Sequence, residues 1–121
     1  MSLSIIDRND VKLRGRLAAP VELRNLPSGD TLLVFRLVVR RPAPRPREPR
    51  QDTFSCVSFH RALISRSSAW QEGDVLEVEG ALRRRFWRSA TGMAVAHEID
   101  CHRVRKARGA AGETRPPADT A

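Results

Sequence analysis

The run Gly80-Ala81-Leu82-Arg83-Arg84-Arg85-Phe86-Trp87-Arg88 sets two adjacent aromatic rings among four arginines. A guanidinium fork matches phosphate oxygens and an aromatic face accepts a stacked base, so one strand carrying both can hold the backbone and the bases of an unpaired polynucleotide. Other residues offer the same chemistry: Phe54 and Phe59, and the arginines Arg14, Arg16, Arg36, Arg40, Arg41, Arg45 and Arg47. Chemistry of other kinds finds little to work with. Cys56 and Cys101 lack CxxC spacing, and His60, His97 and His102 are too scattered to complete a zinc site with them, so no metal or cofactor is expected. Glu77 and Glu79 share a strand face but have no neighbouring His or Asp cluster, so they read as partners of arginines and catalysis is not expected.

The elements that must position these side chains follow from period-two alternation. Val11, Leu13, Gly15 and Leu17 alternate with Lys12, Arg14 and Arg16, which predicts a strand with one buried and one basic face. Pro20 interrupts it, a short segment Val21 to Arg24 follows, and Leu26 to Asp30 has the composition of a turn. Thr31 to Arg41 reads as the second strand, with Leu33, Phe35, Leu37 and Val39 inward and Val34, Arg36, Val38 and Arg40 outward. Residues 42–52, PAPRPREPRQD, predict an extended, solvated, mobile basic loop, because proline donates no ladder hydrogen bond. Thr53 to Phe59 resumes as a strand, and Arg61 to Trp70 predicts the helix, with Trp70 anchoring it in the core.

Glu72-Gly73-Asp74 ends the helix and opens a long fourth strand. On it Leu76, Val78 and Leu82 share one face, and Glu77, Glu79, Arg83, Arg85 and Trp87 the other; Phe86, opposite Trp87, is expected in the core. Ser89 to Gly92 is the hairpin turn, and Met93 to Val104 the fifth strand, carrying Val95, Ile99 and Cys101. Five strands with one short helix between the third and fourth predict an all-β chain of the OB-fold, a Greek-key barrel whose second and third strands commonly carry an oligonucleotide surface. The domain is expected over residues 1–105, followed by a disordered tail over 106–121 that lacks apolar periodicity.

Composition agrees with that reading. The 121 residues suit one small domain, and 22 Lys+Arg against 14 Asp+Glu leave a formal charge of +8, which predicts an anionic partner. Only Lys12 and Lys106 are lysines, the rest being arginine. No apolar run is long enough to span a membrane, Met1 to Asp10 lacks the pattern of a secretory signal, and the two cysteines read as reduced packing residues, all of which predict a cytoplasmic protein without a disulfide.

Several stretches resemble the bacterial single-stranded-DNA-binding protein family, SSB. Asn9 to Leu17 resembles that family's first strand, Pro20 to Arg24 with Pro27-Ser28-Gly29 its next segment and turn, Phe35 to Val39 its second strand, and Phe54 to Phe59 its third. Trp70-Gln71-Glu72-Gly73-Asp74-Val75-Leu76-Glu77-Val78-Glu79-Gly80-Ala81-Leu82 resembles the helix exit and fourth strand and is the most specific piece. The similarity covers about Asn9 to Val104.

The resemblance implies an OB-fold, a homotetramer or dimer, and sequence-tolerant binding of single-stranded DNA in replication, recombination or repair, without catalysis. It implies stacking by Trp87, and by Phe59 at the end of the third strand. Phe54 lies at or one position beyond the family's aromatic, and a one-residue slip places Thr53 on the DNA and Phe54 in the core. The family's frequent aromatic at the end of the second strand falls near Ala43, so one stacking platform is missing. The chain ends Pro116-Pro117-Ala118-Asp119-Thr120-Ala121, without the acidic, phenylalanine-ended tip that recruits replication and repair proteins, which predicts a shortened or specialised paralogue. Single-stranded RNA is the alternative ligand, and an adaptor for replication or repair proteins, of the primosomal type, is the alternative role.

Overall fold

The computed structural model of the protein describes residues 6–107, so the disorder expected of the tail, apart from Lys106 and Ala107, lies outside the described residues. Within them the order is β1 (Val11–Leu17), β2 (Glu22–Asn25), β3 (Thr31–Arg40), β4 (Gln51–Ser58), α1 (Arg61–Ser67), β5 (Val75–Ser89) and β6 (Gly92–Lys106). The segment after Pro20 is therefore a short strand of its own, β2, paired with β3 from Glu22↔Val34 to Asn25↔Thr31.

The five strands expected from alternation form the barrel. The sheet runs β1-β5-β6-β4-β3-β2, and β1 returns to pair with β3 at Arg16↔Val38 and Leu17↔Leu37, closing the ring with β2 left outside it. All pairings are antiparallel except a short parallel contact between β4 and β6, at Cys56↔Ile99 and Val57↔Asp100. This is the OB-fold. Closure demands close approach of backbones, and two glycines permit it. A Cβ at Gly15 would overlap the Val38 carbonyl oxygen, and one at Gly80 would overlap the Asp100 carbonyl oxygen. Gly80 adjoins a bulge, where Glu79↔Arg103 is followed by Gly80↔Cys101 and His102 is left over in β6. Because the extra residue belongs to β6, alternation along β5 is unbroken.

The core is built from Leu17, Leu33, Phe35, Leu37, Cys56, Leu63, Leu76, Val78, Ile99, Cys101 and Val104. Helix α1 caps one end through Leu63, and Trp70 packs edge-on against Phe35 with ring centres 5.4 Å apart. The helix stops at Ser67 instead of Trp70. The Ser67 and Ser68 hydroxyls donate back to the Ile64 and Ser65 carbonyls, and the Ala69 and Trp70 N–H groups donate to carbonyls three residues back, tightening the chain into turns. Cys56 and Cys101 are buried free thiols, and the Cys56 side chain together with burial holds the Cys101 thiol far above its ordinary value, so it stays protonated.

The loop after β3 differs from expectation. Arg41 Nε and Nη2 donate to the two Asp52 carboxylate oxygens at 2.9 and 2.8 Å, and the Arg41 N–H donates to the Arg50 carbonyl. Arg45 donates to Glu48 through its backbone N–H at 2.7 Å and its guanidinium at 2.6 Å. The stretch read as a mobile loop is thus clasped by its own ion pairs, which proline content gives no hint of.

Candidate nucleic-acid interface

The β5–β6 hairpin, with 15 residues in each strand, runs past the buried core. Its root is buried through Leu76, Val78, Ile99, Cys101 and Val104, but from Leu82 to Arg88 nearly every β5 side chain meets solvent. Alternation sends Arg83, Arg85 and Trp87 to the outward face, and the Arg85 Cζ lies 4.8 Å from the centre of the Trp87 ring. The indole is 41% exposed, held by a guanidinium on one face while part of its surface stays open.

On β4 the register fixes what alternation alone left open. Phe54 pairs with Leu37 and Cys56 with Phe35, so Phe54 lies on the core-facing side of the strand and is half-buried there. Thr53, Ser55 and Val57 face outward with Val38, Arg36 and Val34 of β3. The expectation of Phe54 as a binding residue is therefore corrected in favour of the slipped register. Phe59, just past the strand, is 51% exposed. It lines a hollow of about 670 Å³ together with Arg36, Ser55, Val57, Arg83 and Arg85.

The remaining cations divide by location. Arg14, Arg16 and Arg40 line a second hollow over the β1–β3 closure. It continues the outward face, because Arg16 pairs with Val38 and Arg36, Val38 and Arg40 alternate along β3. Arg14 is also committed to Glu77, its Nη2 2.6 Å from Oε2, while Arg105 holds the other oxygen of the same carboxylate. That double clamp holds Glu77 below the ordinary carboxylate range, Arg14 contributing most. Arg41 and Arg45 are paired with acids within the loop, Arg41 with Asp52 and Glu48 and Arg45 with Glu48, while Arg47 forms no ion pair among the described residues.

Two groove residues escaped the sequence reading. Glu98 lies 3.4 Å from Arg85, and Asp100 lies 3.8 Å from Arg83, so carboxylates already face the two hairpin arginines. The register Arg83↔Glu98 could be counted from the Ser89–Gly92 turn, but the bulge near Gly80 obscures where that count ends. Phe86 was also misplaced. It does lie opposite Trp87, but it is 53% exposed instead of packed in the core, because the hairpin has left the barrel by that point. Among the described residues no three His, Cys, Asp or Glu side chains form a set that could hold a metal ion. None of the described helices is long and apolar enough to cross a membrane.

Comparison with known proteins finds the same pattern. The family model described as "Single-strand binding protein family" matches residues 8–106. Single-stranded DNA-binding protein 1 of Staphylococcus aureus (strain COL) is 32% identical over 98 residues, covering 79% of this chain and 59% of that protein. Single-stranded DNA-binding protein A of Bacillus subtilis (strain 168) is 31% identical over 88 residues, covering 72% of this chain and 51% of that one. The chain thus spans somewhat more than half the length of these relatives. Among solved structures, a Plasmodium falciparum SSB in complex with single-stranded DNA superposes with a TM-score of 0.70 at 18% identity, covering 86% of this chain and 96% of that one.

Proposed function

The chain belongs to the single-strand binding protein family, and from that premise we propose that it binds single-stranded DNA with little sequence preference. Trp87 and Phe59 stack bases, and Arg36, Arg83 and Arg85 meet the intervening phosphates, with Arg16 and Arg40 extending the track across the barrel. The observation that carries this reading is the open hollow in which Phe59 and three arginines from β3 and β5 converge beside the exposed Trp87. Recognition of this kind rests on charge and ring faces, which every base and phosphate offers alike. Duplex binds less well, since its bases are already stacked and paired and must be opened first.

The working form is a homo-oligomer, a dimer or tetramer. From Val11 to Gly15, β1 is paired on one side by β5, and its pairing with β3 begins only at Arg16, which leaves a strand edge able to accept another copy. The cellular setting is cytoplasmic DNA replication, recombination or repair, and the protein acts by holding the strand without chemical change to it.

A fluorescence titration with single-stranded DNA, equal-length RNA and duplex DNA tests the reading. Single-stranded DNA should quench the indole signal and duplex should not compete. Trp87→Ala should weaken binding about fivefold or more, the worth of one stacked base. Affinity should fall steeply as salt rises, each phosphate contact contributing about 0.7 to the slope of log K against log salt. Affinity independent of salt, or equal affinity for duplex, would falsify the proposal.

A further inference from the structure

The hairpin has a reverse side. Leu82, Arg84, Phe86 and Arg88 project to it from β5, and the register pairs Arg84↔His97, Phe86↔Val95 and Arg88↔Met93 bring His97, Val95 and Met93 beside them from β6. At the root this same side faces the core, but beyond Leu82 its side chains are exposed among the described residues, and Met93 reaches 69% exposure. Arg84 Cζ lies 4.7 Å from the centre of the Phe86 ring, nearly repeating the Arg85–Trp87 arrangement on the front.

The two sides differ in how their charge is balanced. In front, Glu98 and Asp100 face Arg85 and Arg83. On the reverse, neither strand contributes a carboxylate from Leu82 to Arg88 or from Met93 to His97, and among the described residues neither Arg84 nor Arg88 forms an ion pair. Asp7 lines a hollow with Arg84 at the root, but Arg8 lines it too. An apolar protein surface placed here would have to strip water from two uncompensated guanidinium groups, which is costly. A polyanion with flat bases satisfies the cations and the ring together.

We propose that the reverse side of the hairpin is a second track for the same single strand: a base stacks on Phe86, Arg84 and Arg88 hold the flanking phosphates, and Met93 and Val95 form an apolar floor. This rests on the single-strand reading above and adds that the strand passes around the hairpin and engages both sides. Phe86 and Trp87, neighbours in sequence, then grip different nucleotides.

The test is titration with oligothymidylate of about 35 nucleotides, well beyond the 4–16 usual for one barrel of this fold. Phe86→Ala should weaken binding about fivefold or more, and Arg84→Ala with Arg88→Ala should lower the salt slope by about 1.4. In a Trp87→Phe background, the indole introduced by Phe86→Trp should be quenched on binding, which a merely structural ring would not report. If wild type binds oligothymidylate while Phe86→Ala binds equally well and the indole at that position is not quenched, the second track is wrong and the front-face reading stands. If wild type fails to bind, both fall. If Phe86→Ala splits the protein into smaller species in sedimentation with affinity per chain unchanged, the face joins copies of the chain and the proposal is overturned.

Discussion

Phe54 and Phe59 come from one short stretch of chain and face opposite ways. Phe54 faces the core beside Leu37 and Cys56, whereas Phe59 opens into the groove with Arg36 and Arg85. Phe54→Ala should therefore lower stability by about 1–3 kcal/mol, less than the 3–5 lost when a fully sealed phenylalanine is removed, and leave single-strand affinity within about a factor of two, since the site it would vacate is not the stacking surface. Phe59→Ala should do the reverse. Urea denaturation alongside DNA titration checks both, and a Phe54 variant that folds normally but loses DNA would restore the other register. Sequence carried the identities of these rings but not the side of the strand on which Phe54 stands, because a single-residue slip exchanges the faces and only pairing with β3 decides it. The face on which Trp87 stands was legible for the opposite reason: its company of alternating arginines holds whichever residue pairs with it.

At the scale of elements, alternation foretold the five barrel strands and most of the residues of the core. It could not show how far a strand travels beyond the barrel. Leu82 and Val95 continue the inward-facing pattern of Leu76 and Ile99 yet are exposed, since a local pattern records which side faces in and not whether anything remains to face. The clasp around Arg41 and Asp52 was hidden for a different reason, because the acids that close it are interspersed among prolines that suggest an open chain. Gly80 is where the barrel and the overhanging hairpin meet, and its missing Cβ admits the Asp100 carbonyl. Gly80→Ala should force the strands apart at a cost of about 1–3 kcal/mol, seen as a melting temperature lower by several degrees. An unchanged melting curve would show that the junction is slack.

For the whole molecule the balance of charge sets the response to acid. Although the net charge is +8, several acids are tied down in the fold. Asp74 is buried, accepting the Gln71 N–H and facing Lys106, and these hold its carboxyl below the ordinary range in that order. The Arg14 and Arg105 side chains do the same to Glu77, Arg45 to Glu48, and Arg41 to Asp52. A carboxyl depressed in the folded state contributes stability that is present above its unfolded value, about 4, and is lost as pH falls through the lower folded values. Melting temperature should therefore be level near neutrality and decline below about pH 4, modestly, because most of these pairs are screened by solvent. Glu77→Gln should flatten part of that decline, and a melting temperature that rises on acidification would contradict the assignment. The front of the hairpin has a consequence of its own. Glu98 and Asp100 face Arg85 and Arg83, so on the proposed mode of binding an incoming phosphate would have to displace a carboxylate that stands ready to return. Such a grip would loosen one link at a time.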